Sequence, residues 1–213
     1  MLDNKFQECV QVFNLGFHVG KFVMPPEYID YLNNDFDRYL ADKKLPSHTQ
    51  GLAGEIKEEW NVVSILNKAT LDFFNGCCHT YIHNTSHKHV TKGYKAILNS
   101  CWINDQKQNE YNPLHIHYGT GPLGLSSVLF LRVPDCINNA KAVNAIEEPK
   151  DGRLEFISQM GDMFGNPSVL IKPKVGDLYI FPYNLFHTVY PFKGEGIRRS
   201  LSFNVDTPLN DHG

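Results

Sequence analysis

From Lys92 to Val205, short apolar runs alternate with clusters of Gly, Pro and Asn, and this punctuation limits the fold more than any other feature of the chain. The runs are YKAILNSCWIN, NPLHIHYG, SSVLFLRVP, GRLEFI, SVLIKP, GDLYIFPYNLFHTVYPF and RRSLSFNV. Val, Ile, Phe and Tyr supply most of their apolar positions, and turn residues bound each run, which favours strands over helices. Seven short strands of this kind predict an antiparallel sandwich or jelly roll. GRLEFI fits an edge of the barrel. The polar, Ala/Asn-rich insert 135–149 reads as a mobile loop.

The first ninety residues have a different texture. CVQVFNLGFHVGKFVM (9–24) suggests one or two strands broken near Gly16 and Gly20. Pro25 and Pro26 then open an amphipathic helix with Ile29, Leu32, Phe36, Tyr39 and Leu40 on one face and Asp30, Asp35, Asp37 and Arg38 on the other. Residues 45–54 read as a loop. A second helix is predicted over about 55–81, its core side formed by Ile56, Trp60, Val63, Leu66, Phe73, Phe74, Cys77 and Tyr81. Helices first and strands after give an α+β chain with the helices packed on one outer face of the sheet. The expected organisation is a single domain over 1–213, with supporting elements in 1–91 and the strand-rich core in 92–206.

Composition narrows the function classes. With 213 residues, 42% apolar and 20% charged, the chain can bury a core and is not disordered. No apolar stretch reaches the roughly 18 residues that would span a bilayer. The net charge of −3 gives no bulk attraction for nucleic acid or an anionic membrane. MLDNKFQECVQVF lacks a basic-then-apolar leader, so no secretory signal and a cytoplasmic location (of a cell or of an infected host) are expected. Five irregularly spaced cysteines, Cys9, Cys77, Cys78, Cys101 and Cys136, read as reduced thiols.

The chemistry-bearing residues are histidines. In a strand, residues i and i+2 share a face, so His115 and His117 aim at one point while Ile116 turns away. His187, seventy residues on, follows the apolar run 178–181 where a neighbouring strand would turn. Two ligands from one strand and one from another can cap a face of an octahedral metal and leave positions open. The competing reading is three polar residues near strand ends. On RRSLSFNV, Arg198, Ser200, Ser202 and Asn204 share one face and Arg199, Leu201, Phe203 and Val205 the other. Arg beside Ser on one face is equipped to hold a carboxylate. Trp102, Asn104 and Tyr118 are candidates for lining the site. A rival cluster, His79, His83, His87 and His89 with Cys77 and Cys78 nearby, has helical metal-ligand spacing but no following Glu, and a helix end with a solvated loop explains it as well.

In order, the Trp strand, the paired-His strand, the apolar strand ending in Pro, Gly-Asp-Leu, Phe-Pro, His187 and Arg-x-Ser resemble the 2-oxoglutarate/Fe(II)-dependent oxygenases over about 97–206. The likeness is to a family common in phages and bacteria and distantly related to prolyl hydroxylases. The resemblance implies a double-stranded β-helix holding one Fe(II), with 2-oxoglutarate as co-substrate and O2 as oxidant. It implies a dioxygenase that hydroxylates a C–H bond of a small-molecule or peptide substrate, peptidyl proline being one candidate, while 2-oxoglutarate is decarboxylated to succinate. By position, His115 and His187 match the histidine ligands, and Arg198 and Ser200 match the pair that binds the distal carboxylate.

One position departs from the family. The second residue of the first motif is ordinarily Asp or Glu, and here it is His117. Three arrangements are open: His117 completes an all-histidine face, which its strand direction favours; Asp105, Glu110 or Glu155 supplies a carboxylate arm; or water fills the position and His117 contacts substrate. Two other classes stay in view. A cupin-type dioxygenase would use three histidines without a co-substrate, leaving Arg198 and Ser200 without a role. A non-catalytic jelly-roll binding module would hold no stoichiometric iron. The polar loops 44–54 and 135–150 are long enough to act as lids.

Overall fold

The computed structural model describes residues 11–14, 16–42, 45–48, 54–85, 94–121, 123–141, 148–158 and 167–208. The elements in chain order are β1 (Gln11–Asn14), β2 (His18–Val23), α1 (Pro26–Ala41), β3 (Glu59–Asn61), α2 (Lys68–Thr85), β4 (Ile97–Gln106), β5 (Asn112–His115), β6 (Gly124–Arg132), α3 (Asp135–Asn138), β7 (Leu154–Ile157), β8 (Ser168–Ile171), β9 (Asp177–Pro182), β10 (Phe186–Val189) and β11 (Arg198–Asp206).

The strands form two sheets, a larger one ordered β1-β2-β9-β6-β11-β4-β3 and a smaller one ordered β5-β10-β7-β8. All the pairings are antiparallel. From β4 onward the chain passes back and forth between the sheets, β7 and β8 being the one consecutive pair that stays in the same sheet. This is the double-stranded β-helix, with β1 and β2 widening the larger sheet. The single run GDLYIFPYNLFHTVYPF becomes two strands, β9 and β10. They are separated by a turn in which Leu185 N–H donates to the Pro182 carbonyl.

Alternation along the strands sorts the core into two layers. On the outer face Ile103, Leu129, Leu178, Ile180, Leu201 and Phe203 pack against Ile29, Leu32 and Phe36 of α1 and Phe73, Phe74 and Cys77 of α2. On the inner face Val128, Phe130, Tyr179 and Phe181 meet Leu154, Phe156, Ile171 and Val189 of the smaller sheet. Each such side chain contributes about 1.5–3 kcal/mol by leaving water. The helices therefore occupy one outer face, as the sequence predicts.

Three local expectations are corrected. The second helix begins at Lys68 rather than near residue 55, because Glu59–Asn61 pairs with β4 and a 3-10 turn covers Val63–Ile65. Ile56, Trp60 and Val63 mimic a helical period while serving a sheet edge. Asn67 starts α2: its Oδ1 accepts from Thr70 N–H at 2.8 Å, an N-cap bond. Residues 135–138 of the supposed loop form a short helix pinned by Ile137, which is buried. β7 lies between β10 and β8, and β8 forms the edge. The remaining parts of the two proposed lids, 43–44, 49–53 and 142–147, lie outside the described residues.

Cys78, Cys101 and Cys136 are free thiols, Cys77 is buried, and Cys9 lies outside the described residues. Among the described residues, no helix is long and apolar enough to cross a membrane.

Candidate metal centre

The inner face of β11 breaks the apolar rule. Arg198, Ser200, Ser202 and Asn204 are all buried, at 1, 2, 5 and 7% exposure. A sandwich interior does not take in a guanidinium without a reason. Opposite this polar stripe, on the smaller sheet, stand the histidines.

His115 closes β5 and sits directly across from His187 of β10 in the ladder. Their ring centroids are 4.2 Å apart. His117 lies two residues past the end of β5, yet its Nε2 reaches within 3.2 Å of His187 Nε2. One ligand atom from each of the three residues falls within 4.8 Å of the others, the one such group of His, Cys, Asp or Glu found among the described residues. Two nitrogens bound at about 2.1 Å and at right angles stand about 3 Å apart, so the His117–His187 spacing suits one shared ion.

The tautomers suit it too. His115 Nδ1–H donates to the Pro113 carbonyl at 2.6 Å, and His187 Nδ1–H donates to the Leu185 carbonyl at 3.0 Å. A carbonyl only accepts, so each Nδ1 carries the proton and each Nε2 keeps a bare lone pair. Burial pulls all three imidazoles below the ordinary histidine range. His117 is drawn down to about 3 by desolvation and then by His115, and His187 falls well below by desolvation and then by its two neighbours. At neutral pH the rings are uncharged and able to bind a cation.

The cleft over this trio, with about 490 Å³ of space including its mouth, is lined by Trp102, Asn104, Asn112, Arg198, Ser200 and Ser202, among others. Arg198 is the one charged residue in its lining. Its guanidinium lies over the Phe130 ring at 4.9 Å, and neither Nε nor Nη2 has a hydrogen-bond partner among the described residues. Burial lowers its pKa to about 9. An unpartnered buried guanidinium is costly, and a carboxylate entering the cleft would satisfy it. Arg199, one residue on, points the other way and is tied to Asp105 (2.7 and 2.6 Å) and Asp37 (2.7 Å).

The alternative carboxylate arms are engaged elsewhere. Asp105 binds Arg199 on the outer face, Glu155 accepts from Ser168 and Tyr190, and Glu110 accepts from Lys107 N–H. Trp102 and Asn104 line the cleft as expected, and the Trp102 ring lies 5.7 Å from that of His117. Tyr118 does not: it is 79% exposed, because the chain leaves the sheet after His115. In the rival cluster His79 contacts the Tyr94 hydroxyl at 3.2 Å and His83 is exposed, while His87 and His89 lie outside the described residues.

Sequence reasoning missed Asn112, Gly54 and His48. Gly54 faces the cleft where a Cβ would stand 1.9 Å from Asn112 Oδ1, and the His48 ring lies against Trp102 at 5.3 Å. Neither has a sequence signal, since each meets a partner more than fifty residues away.

Residues 100–204 match a family model described as "Putative 2OG-Fe(II) oxygenase". Through this segment the chain is similar to the 2OG-Fe(II) oxygenases. All five residues at the centre, His115, His117, His187, Arg198 and Ser200, fall inside the matched stretch. No curated protein matches its sequence. Its fold is similar to a prolyl-4-hydroxylase of Pseudomonas putida, at 16% identity over 89% of this chain and 92% of that one, with a TM-score of 0.57. It is also similar to SnoK, a non-heme α-ketoglutarate-dependent carbocyclase from nogalamycin biosynthesis, at 11% identity, 97% and 84% coverage and a TM-score of 0.60. A third likeness is to HygX of Streptomyces hygroscopicus, solved with nickel and 2-oxoglutarate, at 12% identity, 90% and 82% coverage and a TM-score of 0.55. At these identities the likeness speaks for the fold.

Proposed function

We propose that the chain folds as one oxygenase unit that hydroxylates a C–H bond of a small molecule or peptide, using Fe(II), O2 and 2-oxoglutarate. His115, His117 and His187 hold the iron, and Arg198 with Ser200 anchors the distal carboxylate of 2-oxoglutarate. The observation that carries this reading is the guanidinium of Arg198, with Nε and Nη2 unpartnered among the described residues, buried in the cleft that three convergent, neutral imidazoles line. The likeness to HygX, whose structure holds nickel and 2-oxoglutarate, supports the same pairing of metal and co-substrate.

When bound, the metal and 2-oxoglutarate supply the oxidising chemistry. The chain's own residues position and enclose. The carbonyls of Pro113 and Leu185 hold two of the rings so that Nε2 faces inward. Arg198 offers a rigid two-pronged donor pair to a carboxylate, and Ser200 on the same strand face offers a hydroxyl. Phe181, whose ring centroid is 4.7 Å from that of His187, and Val189 help keep water from the back of the site. Three neutral imidazoles contribute no charge, so the dianionic co-substrate would balance the two charges of Fe(II) without a protein carboxylate. An all-histidine set also suits a cupin-type dioxygenase with no co-substrate, but that reading leaves Arg198 buried and unsatisfied.

The test is succinate formation. With Fe(II), 2-oxoglutarate and air, the protein without substrate should form succinate slowly. Arg198→Ala should lose that activity and bind 2-oxoglutarate about 100-fold more weakly, as expected for a desolvated carboxylate deprived of its guanidinium. Equal 2-oxoglutarate affinity in the two proteins contradicts the assignment.

A further inference from the structure

His117 stands outside regular structure, since β5 ends at His115. The chain beyond it contains Gly119 and Gly121 and a largely exposed Tyr118, a composition that does not hold a ring in place by itself. Three distant stretches converge to fix it. His117 N–H donates to the Tyr183 carbonyl at 2.9 Å, and Tyr183 N–H donates to the Gly124 carbonyl at 3.1 Å. The Tyr183 hydroxyl donates to Asp206 Oδ1 at 3.0 Å, at the end of β11. Asp206 Oδ2 accepts from Thr120 N–H at 3.3 Å, from the Thr120 hydroxyl and from Asn99 Nδ2 at 3.2 Å.

The fit is close enough to forbid side chains. A Cβ on Gly119 would stand 1.9 Å from Asp206 Oδ1 and 2.6 Å from the Tyr183 ring, and one on Gly124 would stand 2.0 Å from that ring. Segment 117–120 therefore lies flat on a buried carboxylate and a buried aromatic ring. Asp206 is at the opposite end of β11 from Arg198, so it acts on the histidine side of the site and not on the carboxylate anchor.

We propose that Asp206, working with Tyr183, is the positioning residue for His117: its carboxylate clasps the segment after the histidine so that the ring meets His115 and His187 before any ion arrives. This rests on the reading of His117 as a ligand. A pre-set third arm removes the entropy cost of ordering the loop on binding, and supporting shells of this kind are commonly worth 10–100-fold in metal affinity.

A double-mutant cycle with Co(II) as the probe, in the absence of 2-oxoglutarate, tests the clasp. Asp206→Asn places an amide where donors converge and should weaken Co(II) binding about 10-fold. Thr120→Val, which removes one hydroxyl, should weaken it by a smaller factor and serves if Asp206→Asn does not fold, as judged by thermal unfolding. In a His117→Ala background neither change should alter Co(II) affinity further. Undiminished binding by Asp206→Asn and Thr120→Val, alongside a loss in His117→Ala, overturns the clasp and leaves the ligand reading intact. An equal loss in both backgrounds also overturns it, by showing a merely structural role. If His117→Ala binds Co(II) as tightly as the parent, the ligand reading falls and the clasp with it.

Discussion

At the scale of single residues, burial sets the charge states. His115, His117 and His187 have pKa values depressed by desolvation, so the folded protein holds them neutral where unfolded histidines would take up protons. Metal binding then displaces almost no protons from these rings, and Co(II) affinity should stay flat between about pH 8 and about pH 6. A tenfold fall over that range in a pH series of titrations would contradict the neutral trio. Glu59 behaves in the opposite sense. It is 1% exposed, and desolvation, followed by the nearby Glu110, raises its carboxyl from 4.5 to about 7. A raised folded pKa favours the native state while the group is protonated, and that contribution is lost as pH climbs from about 4.5 through about 7. Glu59→Gln should therefore gain on the parent in urea-melt stability as pH rises across that window. The difference is of the order of a couple of kcal/mol, and parallel pH profiles would refute it.

At the scale of elements, what could be read ahead was whatever strand alternation determines. Alternation puts His115 and His117 on one face and separates Arg198 and Ser200 from Arg199 and Leu201, while His187 is picked out by its place after the apolar run 178–181. Tyr118 is out of phase with His115 and His117, in the phase of Ile116, and lies beyond the end of β5, so its ring is left in solvent. The stretch around Trp60 failed because a three-residue edge strand carries too few positions to reveal its period. The start of α2 was legible in principle, from Asn67. Asn67→Ala should cost about 1 kcal/mol of stability through the lost bond to Thr70, measurable by chemical denaturation. No change would mean that packing alone fixes that helix end. Gly54 and Asn112 are out of reach, since nothing in the sequence signals that residues 58 positions apart meet. Gly54→Ala should disturb the cleft, given the 1.9 Å approach to Asn112, and would be seen as weaker 2-oxoglutarate binding with Co(II) affinity unchanged.

At the scale of the whole molecule, the double-stranded β-helix divides labour between its faces. The outer face of the larger sheet is apolar and covered by α1 and α2, and it supplies much of the stability. The inner face is apolar only at one end, where Phe130, Tyr179 and Phe181 meet Leu154 and Phe156. The other end is left to buried polar groups, including Asn104 Oδ1, Asn112 Oδ1 and two Arg198 nitrogens, that lack partners among the described residues. Interiors do not keep such groups without use. The central claim is that they and the three imidazoles form one receptor for a metal and a dicarboxylate. Anaerobic calorimetric titration tests it most directly, with Fe(II) added first and 2-oxoglutarate second. The account predicts one Fe(II) per chain, lost in His187→Ala, followed by one 2-oxoglutarate whose binding collapses in Arg198→Ala. Iron binding that survives His187→Ala, or 2-oxoglutarate binding indifferent to Arg198, would contradict it.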